Sequence, residues 1–282
     1  MPTTTVNGAE LFHDVRGAGP PVLLIMGATG DGGHFNRLAE LLADEYTVVR
    51  YDRRGNGRSS RPPDWVTTSP EEQADDAAAL LSALGLVPAA VFGTSSGANF
   101  ALALVLRHPA TVRAALLHEP VMISLTDDPA AVRRAAAPLF TQAGPPAEAI
   151  ERFWRLVGGA GSWDHLDNSL RERMLASAGT FFEIEVGTFE DYLPDNDMLA
   201  AITVPLGIMI SDDGRPSSHE SANRLAQRLG VNVMRTPGSH TPYHDHPHEL
   251  AEVMRSFLSP RLRTVPNGEG PLGAVASRSL RA

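Results

Sequence analysis

The chain has 282 residues, 43% of them hydrophobic and 20% charged, so it can bury a large core and is too apolar for global disorder. Its formal net charge of −9 argues against a nucleic-acid partner and against an anionic membrane surface. With no cysteine it can form no disulfide, no thiolate metal site and no cysteine nucleophile, and a cytoplasmic location is the expectation.

At the N-terminus, Met1-Pro2-Thr3-Thr4-Thr5 lacks the basic and apolar regions of a secretory leader, and no apolar run reaches membrane-span length. Thr3 to Val15 reads as a hairpin, with Asn7-Gly8 supplying the positive-φ residues of its turn. Val22-Leu23-Leu24-Ile25-Met26 is a continuous apolar run, the pattern of a strand buried on both faces. A Gly-rich loop from Gly27 to Gly33 follows, then a helix through Leu38, Leu41 and Leu42. Tyr46 to Tyr51 is a second buried strand and ends in the loop Asp52-Arg53-Arg54-Gly55-Asn56-Gly57-Arg58-Ser59. Pro70-Glu71-Glu72 opens a helix that runs to about Leu84, with acidic side chains where the helix dipole favours them.

The next strand, Ala89 to Phe92, runs into Gly93-Thr94-Ser95-Ser96-Gly97 and then an Ala/Leu-rich helix, Ala98 to Leu106. This is the G-x-S-x-G pattern in the strand–turn–helix context it requires. Such a turn strains its central residue, Ser95, and needs glycine at 93 and 97 so that strand and helix can approach. The Ser95 hydroxyl then projects above the sheet edge as a nucleophile, and the Ser96 amide lies at a helix N-terminus suited to an oxyanion.

Val112 to Leu117 is a strand that ends at His118-Glu119-Pro120. From about Val121 to Ala200 the pattern is helical, with Trp154, Trp163, Phe181, Phe182, Phe189 and Tyr192 and no clear buried strand. Alternation resumes with a strand at Pro205 to Ile210, a helix at His219 to Leu229, a strand at Val231 to Met234 and a helix at Pro247 to Leu258. The expected architecture is α/β, a mostly parallel eight-stranded sheet with helices on both faces. Residues 1–120 and 201–260 would form the core, 121–200 a helical cap after the sixth strand, and 261–282 a flexible tail. Gly27, Ser95, Glu119, Asp212 and His240 all fall at carboxyl ends of strands, where open sheets bind ligands.

On these motifs the chain resembles the α/β-hydrolase superfamily, over roughly residues 5–260. Leu24-Ile25-Met26-Gly27 is similar to the family's oxyanion loop, 52–59 to the loop after its next strand, 93–97 to its elbow, and Gly238-Ser239-His240-Thr241-Pro242 to its histidine loop. The resemblance implies His240 as general base for Ser95, and oxyanion amides from Gly27, Ala28 and Ser96. Met26 stands where relatives commonly have histidine, which favours an apolar wall near the acyl site.

For the triad acid, relatives usually place an aspartate after the strand at 205–210. That position falls on Gly214, with Asp212 and Asp213 out of phase by one or two residues. Glu119 ends the preceding strand, and the run from Gly93 through His118-Glu119-Pro120 resembles the fungal zearalenone lactonases, whose acid is the corresponding glutamate. Glu119 is therefore the preferred acid, with Asp212 or Asp213 as the alternative.

His244, His246 and His248 suggest a metal site by spacing, but no helical carboxylate–histidine pattern accompanies them, so a solvated charged loop is expected and no metal or cofactor is called for. Asp31 and His34 could touch substrate, but exposed loop polarity is the preferred reading. Met26, Trp154, Trp163, Phe181 and Tyr192 are the candidate pocket walls, although helical spacing equally suits lid core, as it does for Met122, Leu125 and Phe140. The expected activity is hydrolysis of a small apolar ester or lactone through an acyl-enzyme. The alternatives are C–C hydrolysis, thioester hydrolysis or perhydrolysis by the same triad, or a weakly hydrolytic ligand sensor. Monomer and homodimer both stay open.

Overall fold

A computed structural model of the chain describes residues 2–140, 144–159, 161–187 and 192–262. Eight strands form one sheet: β1 (Thr3–Val6), β2 (Ala9–Arg16), β3 (Pro21–Ile25), β4 (Thr47–Tyr51), β5 (Ala89–Thr94), β6 (Val112–His118), β7 (Leu206–Ser211) and β8 (Val233–Thr236). Their order across the sheet is β1-β2-β4-β3-β5-β6-β7-β8. β1 and β2 pair antiparallel, as do β2 and β4, and every other pairing is parallel.

The apolar runs are continuous because the sheet is covered on both faces. Leu23, Ile25, Val91, Leu117 and Ile208 face a core completed by α2 (Pro70–Ala83), α3 (Ser96–Arg107) and α9 (Pro216–Leu229). Their neighbours Val22, Leu24, Phe92, Leu116 and Met209 face the opposite core with α1 (Asn36–Leu42) and α11 (Pro247–Leu262). Local signals set the helix starts. Ser69 accepts a hydrogen bond from the Glu72 amide at the head of α2, and Pro70 occupies the first turn.

Between β6 and β7 lie α4 (Pro129–Phe140), α5 (Pro146–Gly158), α6 (Asn168–Ala176), the short α7 (Ala178–Thr180) with a π-helical turn at Phe181–Glu185, and α8 (Asn196–Ala200). Trp154, Trp163, Leu170 and Phe181 from this insertion join the core on the α1/α11 side. A last short helix, α10 (Pro242–Asp245), precedes α11.

Several boundaries move by one to four residues from expectation, among them β7 (Leu206–Ser211) and the start of α9 at Pro216, and two have a clear cause. β8 begins and ends two residues later than expected, because pairing with β7 sets Val233 opposite Ile208 and Thr236 opposite Ser211. The final helix passes through Pro260 to Leu262, whose buried side chain secures the last turn against the core. Residues 263–282 of the expected tail, and the Phe189 and Phe140 side chains, lie outside the described residues.

Candidate active site

Ser95 sits between β5 and α3 at φ 57°, ψ −131°, a conformation that side chains rarely adopt. The surrounding glycines are sterically required. A Cβ on Gly93 would lie 2.2 Å from the Gly97 carbonyl oxygen, and one on Gly97 would lie 2.3 Å from that of Ile25. The Ser95 amide donates to the His118 carbonyl at 2.9 Å, which ties the turn to the end of β6.

Immediately after His118 the backbone turns again, with Glu119 at φ 43°. This turn directs a fully buried carboxylate toward the loop after β8. Oε2 of Glu119 is hydrogen-bonded to Nδ1 of His240, and Oε1 accepts from the Ser211 amide at 2.9 Å. Burial pushes the Glu119 carboxyl up, but the hydrogen bond and charge of His240, the proximity of His118 and the Ser211 amide outweigh it and hold it down to about 2. Glu119 is thus an anion at neutral pH. Because Nδ1 of His240 is turned to Glu119, Nε2 is the nitrogen left to accept a proton.

Ser95 and His240 border the same cleft. Among the described residues no hydrogen bond joins the serine hydroxyl to the imidazole. Asp212 and Asp213 are not brought to the imidazole. Both are exposed, and Asp212 accepts from Nε of Arg235 at 2.7 Å. Gly214, between those aspartates and α9, has Glu119 for a neighbour: a Cβ there would lie 2.1 Å from Oε1.

The oxyanion-loop candidates Gly27 and Ala28 abut the elbow. A Cβ on Gly27 would lie 2.9 Å from that of Ser95, and Ala28 and Ser96 both border the cleft. This loop is held from behind by Arg53, which the sequence presented only as part of a turn-rich motif. Its Nε donates to the Met26 carbonyl at 2.9 Å and its Nη2 to the Gly27 carbonyl at 2.8 Å. Arg53 is also paired with Glu185 of the inserted helices at 2.7 Å, both side chains fully buried. The only sequence signal for this is Phe181-Phe182-Glu183-Ile184-Glu185-Val186, where two acids stand within an apolar run and Glu185 is the one that is buried.

The cleft encloses about 840 Å³ counting its open mouth, and its walls are mainly apolar, including Met122, Ile123, Val132, Phe153, Val157 and Phe181. Of the five expected wall residues only Phe181 lines it. Trp154 stacks on His34 at 4.5 Å between ring centroids, and Trp163 is buried in the same core cluster. Met26 is also core, because its side chain follows the β3 alternation onto the α1/α11 face. Tyr192 packs instead on the α2/α3 side.

Three polar residues are also corrected. Asp31 and His34 are buried rather than exposed, since the inserted helices cover their loop. Asp31 accepts from Nε of Arg173 on α6, and Nδ1 of His34 is hydrogen-bonded to Nε2 of His244 at 2.9 Å. His244 therefore leaves the solvated loop expected for it and packs edge-on to Trp154. His246 and His248 stay at the surface beside Glu249 and Arg37.

Comparison with known proteins agrees with this architecture. Residues 20–188 match the family described as alpha/beta hydrolase fold. The chain is 33% identical over 261 residues to the Bacillus subtilis (strain 168) protein named uncharacterized hydrolase YraK, a match covering 91% of this chain and 95% of that protein. It is 26% identical over 260 residues to the zearalenone hydrolase of Bionectria ochroleuca, covering 89% and 94% of the two chains. The bromoperoxidase of Bacillus anthracis superimposes with a TM-score of 0.74 at 21% identity, covering 89% of this chain and 96% of that one. On sheet order, elbow and these matches together, the chain belongs to the alpha/beta hydrolase fold family.

Proposed function

We propose that the protein is a serine hydrolase that cleaves a small apolar carboxylic ester or lactone through an acyl-enzyme, with Ser95, His240 and Glu119 as its triad. The observation that carries this reading is the hydrogen bond of buried Glu119 to Nδ1 of His240, on the wall of the cleft that also holds Ser95. Glu119 orients the imidazole and stabilises its charged form, and Nε2 takes the Ser95 proton as Oγ attacks the acyl carbon. The oxyanion that forms is met by the amides of Ser96 and of the Gly27-Ala28 turn. Collapse expels the alcohol oxygen, which receives the proton from Nε2. Water, deprotonated by the same nitrogen, then releases the acid and restores Ser95.

In this reading, helices 121–200 act as the cap. Support for an apolar substrate comes from the aliphatic and aromatic walls of the cleft, and support for an ester or lactone from the relative named a zearalenone hydrolase. Turnover of p-nitrophenyl esters and of macrolactones, combined with mass-spectrometric localisation of a fluorophosphonate adduct, tests it. The expected result is an adduct on Ser95 and a loss of kcat on the order of 10⁶-fold in Ser95→Ala. A Ser95→Ala enzyme as fast as the parent would refute the reading.

A further inference from the structure

We infer that the buried Arg53–Glu185 pair sets the orientation of the oxyanion loop, so that the inserted helices complete the catalytic site as well as covering it. The inference rests on the Ser95 reading above and deepens it by adding a positioning residue and its anchor.

The guanidinium of Arg53 has five N–H donors in a rigid plane. Nε donates to the Met26 carbonyl, and Nη2 to the Gly27 carbonyl and to Oε2 of Glu185 at 3.0 Å. Nη1 donates to Oε1 of Glu185 at 2.7 Å and to Oε1 of Gln73 at 3.2 Å. All five donors are engaged, and two of them hold consecutive peptide carbonyls.

In a trans peptide unit the C=O and the following N–H point in opposite directions. Drawing the Met26 carbonyl toward Arg53 therefore turns the Gly27 amide away from it. Drawing in the Gly27 carbonyl does the same to the Ala28 amide. Gly27 touches the elbow and Ala28 lines the cleft, so amides turned from Arg53 are available to that space. Among the described residues, neither amide donates to a protein acceptor. Arg53 thus keeps two donors aimed at the place where charge would develop, without touching the substrate itself.

Glu185 is what makes a buried guanidinium tenable there. It comes from the π-helical turn of the insertion, receives two of the five donors, and is further held by Nδ2 of Asn56 at 2.8 Å. Packing alone does not call for this arrangement, because a buried ion pair can often be replaced by apolar side chains without loss of stability. What apolar side chains cannot supply is the planar fork that holds two carbonyls at once, and a lysine, as a point charge, cannot supply it either.

The test compares the parent with Arg53→Lys and with the double variant Arg53→Met/Glu185→Leu, which removes both charges together. Each is assayed for kcat and KM on p-nitrophenyl esters, for thermal midpoint, and for inhibition by an alkyl boronic acid, whose boron bonds serine and whose oxygen needs the oxyanion donors. The expected result in both variants is a loss of kcat on the order of 10²-fold with little change in KM. Boronate affinity should weaken in proportion to kcat and not to KM, a pattern that a general loosening of the fold does not produce. Parent-like kcat in either folded variant, a loss confined to KM, or failure of both variants to fold overturns the inference. A parent that is not acylated at Ser95 refutes the triad reading. A parent acylated at Ser95 alongside an Arg53→Lys enzyme of full kcat refutes only the role of Arg53.

Discussion

The carboxylate of Glu119 occupies the space in which a side chain on Gly214 would begin. A Cβ at 214 would lie 2.1 Å from Oε1 of Glu119 and 2.5 Å from Nε2 of His219. Position 214 is where the resembled family commonly carries its acid. Two strand ends, those of β6 and β7, therefore compete for one place beside His240, and only one can hold a carboxylate there.

This relationship predicts a swap. Glu119→Ala is expected to lower kcat by about 10³- to 10⁴-fold with KM little changed, because the imidazole loses its orienting partner. Adding Gly214→Asp to Glu119→Ala should recover at least part of that loss, whereas Gly214→Asp alone should be damaging because two carboxylates meet. Steady-state kinetics of the three variants decides it. A double variant no faster than Glu119→Ala would count against the shared position.

Ser95 stores backbone strain at φ 57°, ψ −131°, on the order of 1–3 kcal/mol. Glycine relieves it and alanine does not. Ser95→Gly is therefore expected to abolish turnover yet raise the melting temperature by about 3 °C, the shift corresponding to roughly 1 kcal/mol in a chain of this size. Ser95→Ala should lose activity without the thermal gain. Calorimetry of the two variants separates them.

Stability should fall as pH drops below about 6.5. Burial lowers His118 to about 4, and Glu119, which raises it, does not compensate; the charges of His240 and His219 lower it further. Burial also lowers His244 to about 4 against the pull of Asp245 and Asp167, and it holds His34 well below the ordinary imidazole value, with His244 and Arg173 contributing. Each of these groups is neutral when folded and charged when unfolded between the two pKa values. The unfolded chain then binds more protons, and each group removes up to about 1.4 kcal/mol per pH unit on the way down from 6.5. Glu119 acts in a different window. Its folded pKa is depressed, so its contribution is intact above 4.5 and is lost only between 4.5 and about 2. Urea unfolding at pH 7.5 and 5.5 should show a shallower decline in His118→Gln than in the parent; an identical slope would contradict this.

Phe181 forms part of the cleft wall and packs on Phe153 at 4.8 Å between ring centroids. Phe181→Ala should extend the cleft and shift preference toward longer acyl chains, with kcat/KM for an octanoyl relative to a butanoyl ester rising by about tenfold or more. The same change should destabilise the fold by about 3 kcal/mol through lost burial. Trp154→Ala, which is core rather than wall, should destabilise without moving the chain-length preference.

What was legible in the sequence was local. The elbow is specified within five residues, because strain at 95 and close packing at 93 and 97 allow few side chains. The strands showed as continuous apolar runs, because both sheet faces are covered. His240 was marked by its turn. The aromatic residues of the insertion were less legible: periodicity reveals that a helix has an apolar face, but not which neighbour covers it. Phe181 reaches the cleft as well as the core on the α1/α11 side, whereas Trp154 and Trp163 reach that core and not the cleft.

The sequence by itself determined the alternation of strands and helices, the strained serine and the loops that end each strand, since these follow from backbone sterics and from side-chain patterning over a few residues. Only the tertiary structure decided which polar groups share an enclosed space: Glu119 with His240, His34 with His244, Arg53 with Glu185. Their separations run from 121 to 210 residues. Chain folding brings them together, and the penalty for burying a polar group without a partner makes each choice specific.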